Sequence, residues 1–503
     1  MSGGAETVFD LLIVGAGING AGLARDAAGR GLKVLIVDQG DIGGATSSAS
    51  TKLIHGGLRY LEHYEFGLVR ESLAERETLL AIAPHLVREQ RFVIPHTPAL
   101  RPRWMIRLGL ALYDGLARGS SLKRAEGVDL RGTPFGAPLR PEFAHGFAYS
   151  DLATDDARLT LLNVVSAAQF GAQAMTRTKL VGARREGGAW RAVLQGEDGT
   201  QRECAARILV NAAGPWTAAV RKAVVGDAGP ETLRLVKGSH LVTPRLYEGS
   251  QAYLLQNDDG RIAFVIPFEG DFSLVGTTEV SLQAQDAAPR IDAAEAEYLC
   301  ALVSRFFRAT LTPDRAVWSY SGIRALYDDG QGSATAVSRE YRLTVDGGPK
   351  EAPLLSIFGG KLTTYRRLAE RVLDKLRPWL PGLRPAWSGQ VHLPGGGLGP
   401  HGLPGLLLEL ARRYPRLPPE RLEALARRHG TLAARVLGAA QTEGELGEHF
   451  GGGLHAAEVD YLVAHEWART TEDILWRRTK CGLRVDAAGI GRLTECLDRK
   501  ERT

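Results

Sequence analysis

A chain of 503 residues is too long for one hydrophobic core and should divide into two or three domains. Its 44% hydrophobic and 24% charged residues are those of a globular protein in water, neither disordered nor membrane-spanning. A net charge of +5 suits an anionic ligand or an acidic lipid surface; with no aromatic-studded basic patch it does not indicate nucleic acid.

Asp10 to Val14 is a short apolar run, as expected of a parallel strand buried on both faces. It runs into Gly15-Ala16-Gly17-Ile18-Asn19-Gly20, a GxGxxG that opens a helix reaching about Gly31. Gly15 permits the tight turn, Gly17 lets the backbone approach a pyrophosphate, and Gly20 allows close helix–strand packing. The helix start offers free N–H groups to phosphate. A second strand, Lys33 to Val37, ends at Asp38, placed to accept ribose hydroxyls and to repel a 2′-phosphate. This stretch alone does not separate NAD from FAD.

Residues 43–52 are dense in small and hydroxyl side chains and lead into Leu53-Ile54-His55-Gly56-Gly57-Leu58-Arg59-Tyr60-Leu61, a glycine-rich loop able to face a ring. Glu71 to Ala83 reads as a helix ending at Pro84. Residues 98–118 form an apolar helix interrupted or flanked by Arg101, Arg103, Arg107 and Arg118, with Trp104 and Tyr113 near its ends. That pattern suits an interfacial membrane anchor, and equally a core or dimer helix with snorkelling arginines. Further strands are expected at Trp190–Leu194 and Arg207–Asn211, the latter running into Ala212-Ala213-Gly214 beside a cofactor. Gln251 to Thr278 reads as short antiparallel strands. A strand at Leu354–Phe358 meets Gly359-Gly360-Lys361-Leu362-Thr363-Thr364-Tyr365, and a helix follows. Proline and glycine cluster at 381–405, after which the pattern is helical. The four cysteines are scattered without a CxxC pair, so a metal site is not expected. The amino end lacks the basic region of a signal peptide. No stretch reaches the roughly 18 apolar residues of a spanning helix, so membrane contact would be peripheral.

Taken together, Gly15 to Gly22, Ala45 to Tyr64, Lys237-Gly238-Ser239-His240, Tyr320-Ser321-Gly322-Ile323-Arg324 and Phe358 to Arg366 resemble the bacterial FAD-dependent, membrane-associated sn-glycerol-3-phosphate dehydrogenases, among the D-amino-acid-oxidase-like flavoproteins. The resemblance runs nearly end to end and includes Trp476-Arg477-Arg478-Thr479-Lys480. It implies an α/β, Rossmann-like FAD-binding domain (1–90, 151–235 and 340–385), an antiparallel-sheet substrate cap (91–150 and 236–339) and a C-terminal helical domain (386–503).

It also implies extended FAD held by Gly15, Gly17, Ile18, Asn19, Gly20, Asp38, Thr46, Ser47, Ser48, Thr51, Lys52, Leu53, His55, Gly56, Gly57, Ala213, Gly214, Gly360, Lys361, Leu362 and Thr363. A helix amino end near Gly360 would stabilise negative charge on the reduced ring. A phosphate dianion calls for converging cations, preferably Arg forks; the family pattern supplies Arg59, Tyr60, His240, Arg324 and Lys361, with Arg339 a further candidate. Family members commonly carry proline after this arginine; here it is Ala325, which is expected to loosen the backbone beneath Arg324. The implied reaction is hydride transfer from C2 of glycerol 3-phosphate to flavin N5, giving dihydroxyacetone phosphate, with electrons passed to ubiquinone. His55 or His240 would take the hydroxyl proton, and the sequence leaves that choice open. A homodimer at the cytoplasmic face of the inner membrane is the implied setting. The alternatives are an oxygen-using soluble oxidase, and a non-catalytic flavin-binding scaffold, which would not need the cationic residues.

Overall fold

A computed structural model describes residues 8–97, 100–117, 119–227, 232–282, 288–328, 341–348 and 350–501. The apolar runs Val8–Val14 (β1) and Val34–Val37 (β2) pair in parallel, Leu11 opposite Val34 and Val14 opposite Val37. The helix Ile18–Gly29 (α1) crosses between them and stops short of Gly31, whose φ of +89° belongs to the turn. β1 sits inside an eight-stranded sheet. β2 and Gln173–Met175 lie on one side of it; Gln201–Asn211, Leu354–Phe358 and Arg342–Asp346 lie on the other. The chain thus leaves β1 in one direction and returns on its far side, opening a crevice at the carboxyl ends of the strands. α1 and the helices Asp156–Gln169 and Tyr365–Leu376 bury one face through Leu23, Leu162, Leu368 and their neighbours.

A second sheet of ten strands is mostly antiparallel. Its longest member, Thr232–Pro244, pairs with Trp318–Asp328 along the ladder from Thr232↔Asp328 to Val242↔Trp318. Ala325 lies opposite Leu235 inside that ladder, so the backbone after Arg324 is held by strand pairing and is not loosened as expected. The expected short strands form as Ala252–Gln256, Ile262–Phe268 and Phe272–Gly276. Leu53–Ile54 joins this sheet against His145–Ala153, so the 45–61 loop runs from one sheet to the other.

The helix expected at Glu71 begins earlier, at Phe66, and runs to Ile82 (α2), because Val69 and Leu73 already pack inward. Within 98–118 the helix is Arg103–Leu116 (α3); residues 98, 99 and 118 lie outside the described residues. Tyr113 is buried, as the core-helix reading expects, and its hydroxyl donates to Asp151 Oδ1 at 2.8 Å. Leu110 is buried beside it. The opposite face exposes Trp104 (65%), Leu108 (62%) and Leu112 (42%) at four-residue spacing. α3 therefore combines features of both readings: one face packs on the core and the other presents an apolar stripe. No helix among the described residues is long and apolar enough to cross a membrane.

Beyond residue 400, the helices Gly402–Arg413, Pro419–His429, Ala456–Glu466 and Ala487–Glu501 enclose a separate core around Leu410, Tyr414, Phe450 and Leu462.

Candidate active site

One cavity of about 1550 Å³ occupies the crevice and continues beneath the second sheet. At its first end the polar groups are mostly main-chain. Gly15 has φ +106°, and a Cβ there would lie 2.5 Å from Ala212 O. A Cβ at Gly17 would meet only the Ser47 hydroxyl, at 3.1 Å, so the backbone is open to a close approach. α1 has no side-chain cap, which leaves its start electropositive; the Ile18 N–H donates to Ser47 Oγ at 2.9 Å. Asp38 ends β2 and accepts from the N–H groups of Ala16 (2.6 Å) and Gly40 (2.8 Å). Burial raises its pKa, and those two bonds oppose the rise.

The far end is built on paired strands. Opposite residues in an antiparallel ladder share a face, so His240↔Tyr320, Gly238↔Gly322 and Val236↔Arg324 form successive rows on one side. All six residues line the cavity. The paired glycines keep the row between His240 and Arg324 low: a Cβ at Gly238 would come within 3.0 Å of Arg324 Nη2. Arg324 donates to Glu279 Oε1 and to Thr277 Oγ1, each at 3.1 Å. His240 is 1% exposed, stacks on Tyr320 with centroids 4.8 Å apart, and places Nε2 3.0 Å from Thr51 Oγ1. Burial first, then the charges of Arg324 and Lys52, push its pKa well below the usual imidazole value, so the ring is neutral near pH 7.

The late glycine segment closes the third side. Asn19 Nδ2 donates to Gly359 O at 3.0 Å, tying the first glycine turn to the second across 340 residues. Thr363 Oγ1 exchanges bonds of 3.3 Å with the His55 N–H and carbonyl, joining the His55 loop to the same segment. Lys361 Nζ lies 4.0 Å from the centre of the Tyr60 ring. The helix expected from about Arg366 to Leu376 runs Tyr365–Leu376; a helix amino end at Gly360 itself does not form, because Gly359 and Gly360 take φ of +78° and +105°, outside the helical range, and a turn intervenes.

Several expected residues lie elsewhere. Gly20 is off the cavity wall, and its missing side chain makes room for Gly15 O, 1.9 Å from where a Cβ would stand. Gly56 is also off the wall; its N–H donates to Tyr113 Oη at 2.9 Å. Lys52 points away from the cavity to a buried ion pair with Asp156 at 2.6 Å, so it braces the loop from behind. Arg339 and the side chain of Arg59 lie outside the described residues. Gly15, Gly17, Ile18, Asn19, Asp38, Thr46, Ser47, Ser48, Thr51, Leu53, His55, Gly57, Tyr60, Ala213, Gly214, His240, Arg324, Gly360, Lys361, Leu362 and Thr363 all line the one cavity. Sequence reasoning missed Thr277, Glu279, Trp318, Trp476 and Arg477, which line it too. No local motif marks the first three, whereas the last two sit in a stretch noted for its family resemblance.

A family model described as FAD-dependent oxidoreductase matches residues 10–366, and one for the C-terminal domain of alpha-glycerophosphate oxidase matches residues 388–498. The chain is 49% identical over 490 residues to a glycerol-3-phosphate dehydrogenase of Pseudomonas aeruginosa, covering 97% of this chain and 95% of that one. It is 46% identical over 492 residues to a D-erythritol 1-phosphate dehydrogenase of Brucella abortus, covering 97% of each. The crystal structure of a Bacillus halodurans glycerol-3-phosphate dehydrogenase complexed with FAD matches with a TM-score of 0.77 at 28% identity, over 98% of this chain and 90% of that one. The cavity fits that cofactor: a helix start with glycine at its N-cap and open glycine backbone suit a pyrophosphate, and the Asp38 carboxylate lies just after β2. The chain belongs to the bacterial FAD-dependent glycerol-3-phosphate dehydrogenase family, within the FAD-dependent oxidoreductases, and FAD is its cofactor.

Proposed function

We propose that the protein oxidises the C2 alcohol of sn-glycerol 3-phosphate to the ketone of dihydroxyacetone phosphate and delivers the electrons to ubiquinone. The observation that carries this reading is the Arg324 guanidinium, set one low glycine row from His240 on the cavity wall. When bound, FAD supplies the two-electron acceptor. Arg324 and Lys361, with Arg59, Arg339 and Tyr60, are assigned to the substrate phosphate, and Glu279 orients the Arg324 fork. His55 is assigned as the base for the C2 hydroxyl: it lines the cavity on a loop braced by Thr363. His240, held neutral and bonded to Thr51, is a weaker base and is assigned a hydrogen bond to the substrate oxygen. The Gly15–Gly17 turn, Asp38, the residue 46–57 loop, Ala213, Gly214 and the Gly360–Thr363 segment are assigned to the cofactor. The residues assigned above to domains 1–90, 151–235 and 340–385, 91–150 and 236–339, and 386–503 keep that division in this proposal.

We also propose peripheral docking on the cytoplasmic face of the inner membrane. Trp104, Leu108 and Leu112 on α3 present exposed apolar surface, Tyr64 and Phe66 at the start of α2 are exposed as well, and Arg101, Arg103 and Arg107 are exposed around the α3 stripe. Replacing Trp104, Leu108 and Leu112 by Ser is expected to abolish co-sedimentation with anionic vesicles; unchanged binding would refute this face. A homodimer is proposed from the family resemblance, with the mass in solution as its test.

A second reading rests on the Brucella abortus relative: a four-carbon polyol phosphate as substrate. Anaerobic titration of the purified protein with glycerol 3-phosphate and D-erythritol 1-phosphate in parallel, followed by quinone, tests both. Bleaching of the flavin by glycerol 3-phosphate at lower concentration, and its reversal by quinone, is expected. Bleaching by neither compound would overturn the reading; in a parallel assay in air, rapid peroxide formation without quinone would favour an oxidase.

A further inference from the structure

The stretch Trp476-Arg477-Arg478-Thr479-Lys480 has no place in the chemistry above, yet it is where the helical domain reaches the cavity. Asp473–Arg478 winds as a single π-helical turn, an uncommon form found frequently at functional sites. Glu472, Trp476 and Arg477 extend from it to the cavity wall. Arg477 Nε donates to Asp41 Oδ2 at 2.6 Å, and Arg478 Nη2 donates to Asp41 Oδ1 at 2.8 Å. Asp41 ends the short loop after β2, and Asp38, Gln39, Gly40 and Asp41 all line the cavity. The same turn grips this loop a second time. Arg177 donates its N–H to Gly40 O at 2.8 Å and its Nη2 to Asp473 Oδ2 at 2.7 Å.

These pairs are buried: Asp41 is 5% exposed, Arg478 1% and Asp473 0%. Removing one partner of such a pair strands a charge away from water, so the loop is held to the geometry that the turn dictates. Asp38 takes a bond from Gly40 within that loop, so its position follows from the same grip.

We infer that the 472–478 turn of the helical domain is a latch on the nucleotide end of the cavity: through Asp41, Arg477 and Arg478 fix the Asp38–Asp41 loop and set how fast FAD escapes. Both arginines are positioning residues acting through the loop. The inference rests on the assignment of the Asp38 end to the adenosine half of FAD. It gives the helical domain a role that neither family membership nor its own core supplies.

The test is the rate of FAD release from purified holoenzyme, read as the rise of free-flavin fluorescence well below the melting temperature. Arg477→Gln should speed release roughly tenfold or more, and Arg477→Lys by less, because lysine keeps the charge and loses the fork. Glu466→Gln is the control. It weakens the buried Arg158–Glu466 pair, which also joins the helical domain to the rest but does not line the cavity. That variant should lower Tm while changing release less than about twofold. If both Gln variants speed release in step with their loss of Tm, the turn is only structural and the latch is overturned. Should Arg477→Gln fail to fold, Arg477→Lys decides: faster release at a near-parental Tm supports the latch, and parental release at a lowered Tm refutes it. A purified protein without FAD would defeat the underlying assignment first, and visibly so.

Discussion

The two ends of the cavity are built from different materials. Around Gly15 the groups that face a ligand are mostly backbone N–H donors and bare glycine backbone, with the Asp38 carboxylate at the end of β2. Around Arg324 they are long side chains: a guanidinium, an ammonium and imidazoles on paired strands and braced loops. Backbone geometry is set by neighbours in sequence and is shared by many ligands with a pyrophosphate. A side-chain cluster is set by strand register and can distinguish one class of substrate from another. If the ends divide as proposed, one holding the cofactor and the other carrying the chemistry, substitutions at the two ends should fail in different ways.

The strongest test of that separation is Arg324→Ala, which removes a charged fork from the far end. It should cost about 4 kcal/mol, roughly a thousandfold in kcat/KM, with flavin still bound. Steady-state kinetics alongside the flavin-to-protein absorbance ratio reads both quantities; parental kcat/KM would remove Arg324 from the site. Next comes His55→Asn, expected to lower kcat about a hundredfold and to flatten the acidic limb of the pH–rate profile. A full acidic limb surviving in that variant would hand the base role to His240.

A group at neither end supplies the control. His85 follows α2, is 5% exposed, and its ring nitrogens have no hydrogen-bond partner among the described residues. Burial, then Arg158 and His429, push its pKa down to about 3. The unfolded chain therefore binds a proton below about pH 6.5 that the folded chain refuses, so stability is lost as pH falls from there toward 3. At pH 5 this one ring should account for about 2 kcal/mol. In His85→Leu the drop between pH 7 and pH 5 should shrink by that amount in denaturant titrations; an undiminished drop would assign it to other groups. The smallest effect is expected at the nucleotide end. Asp38→Asn should raise the FAD Kd about tenfold, with turnover per bound flavin reduced far less than in Arg324→Ala. A larger loss of turnover than of affinity would blur the two ends.

The contrast also explains what could be read in advance. β1, α1 and β2 were legible because an apolar run, three glycines and an acid at a set distance encode a local shape. The helix after the late glycine segment is legible from its pattern and begins at Tyr365, within a residue of the expected Arg366, whereas a helix amino end at Gly360 itself does not form because Gly359 and Gly360 take left-handed φ. Lys52 looked like a ligand contact from its place among hydroxyl residues; its partner Asp156 is 104 positions away, and no local pattern announces that pair. The setting of Tyr113 stays open in the sequence for a similar reason, since a helix period shows that two faces differ without saying which one finds Asp151.

By itself, the sequence determined the parallel crossover, the glycine turns, the antiparallel strands of the second sheet and the helical tail. Each of these follows from periodicity or backbone freedom acting over a few residues. Only the tertiary structure decided that His240, Gly238 and Arg324 share a face, that α3 turns Trp104 outward and Tyr113 inward, and that Arg477 and Arg478 close on Asp41. Those depend on strand register and on buried charges finding partners hundreds of residues away, where the cost of an unpaired ion selects the fold.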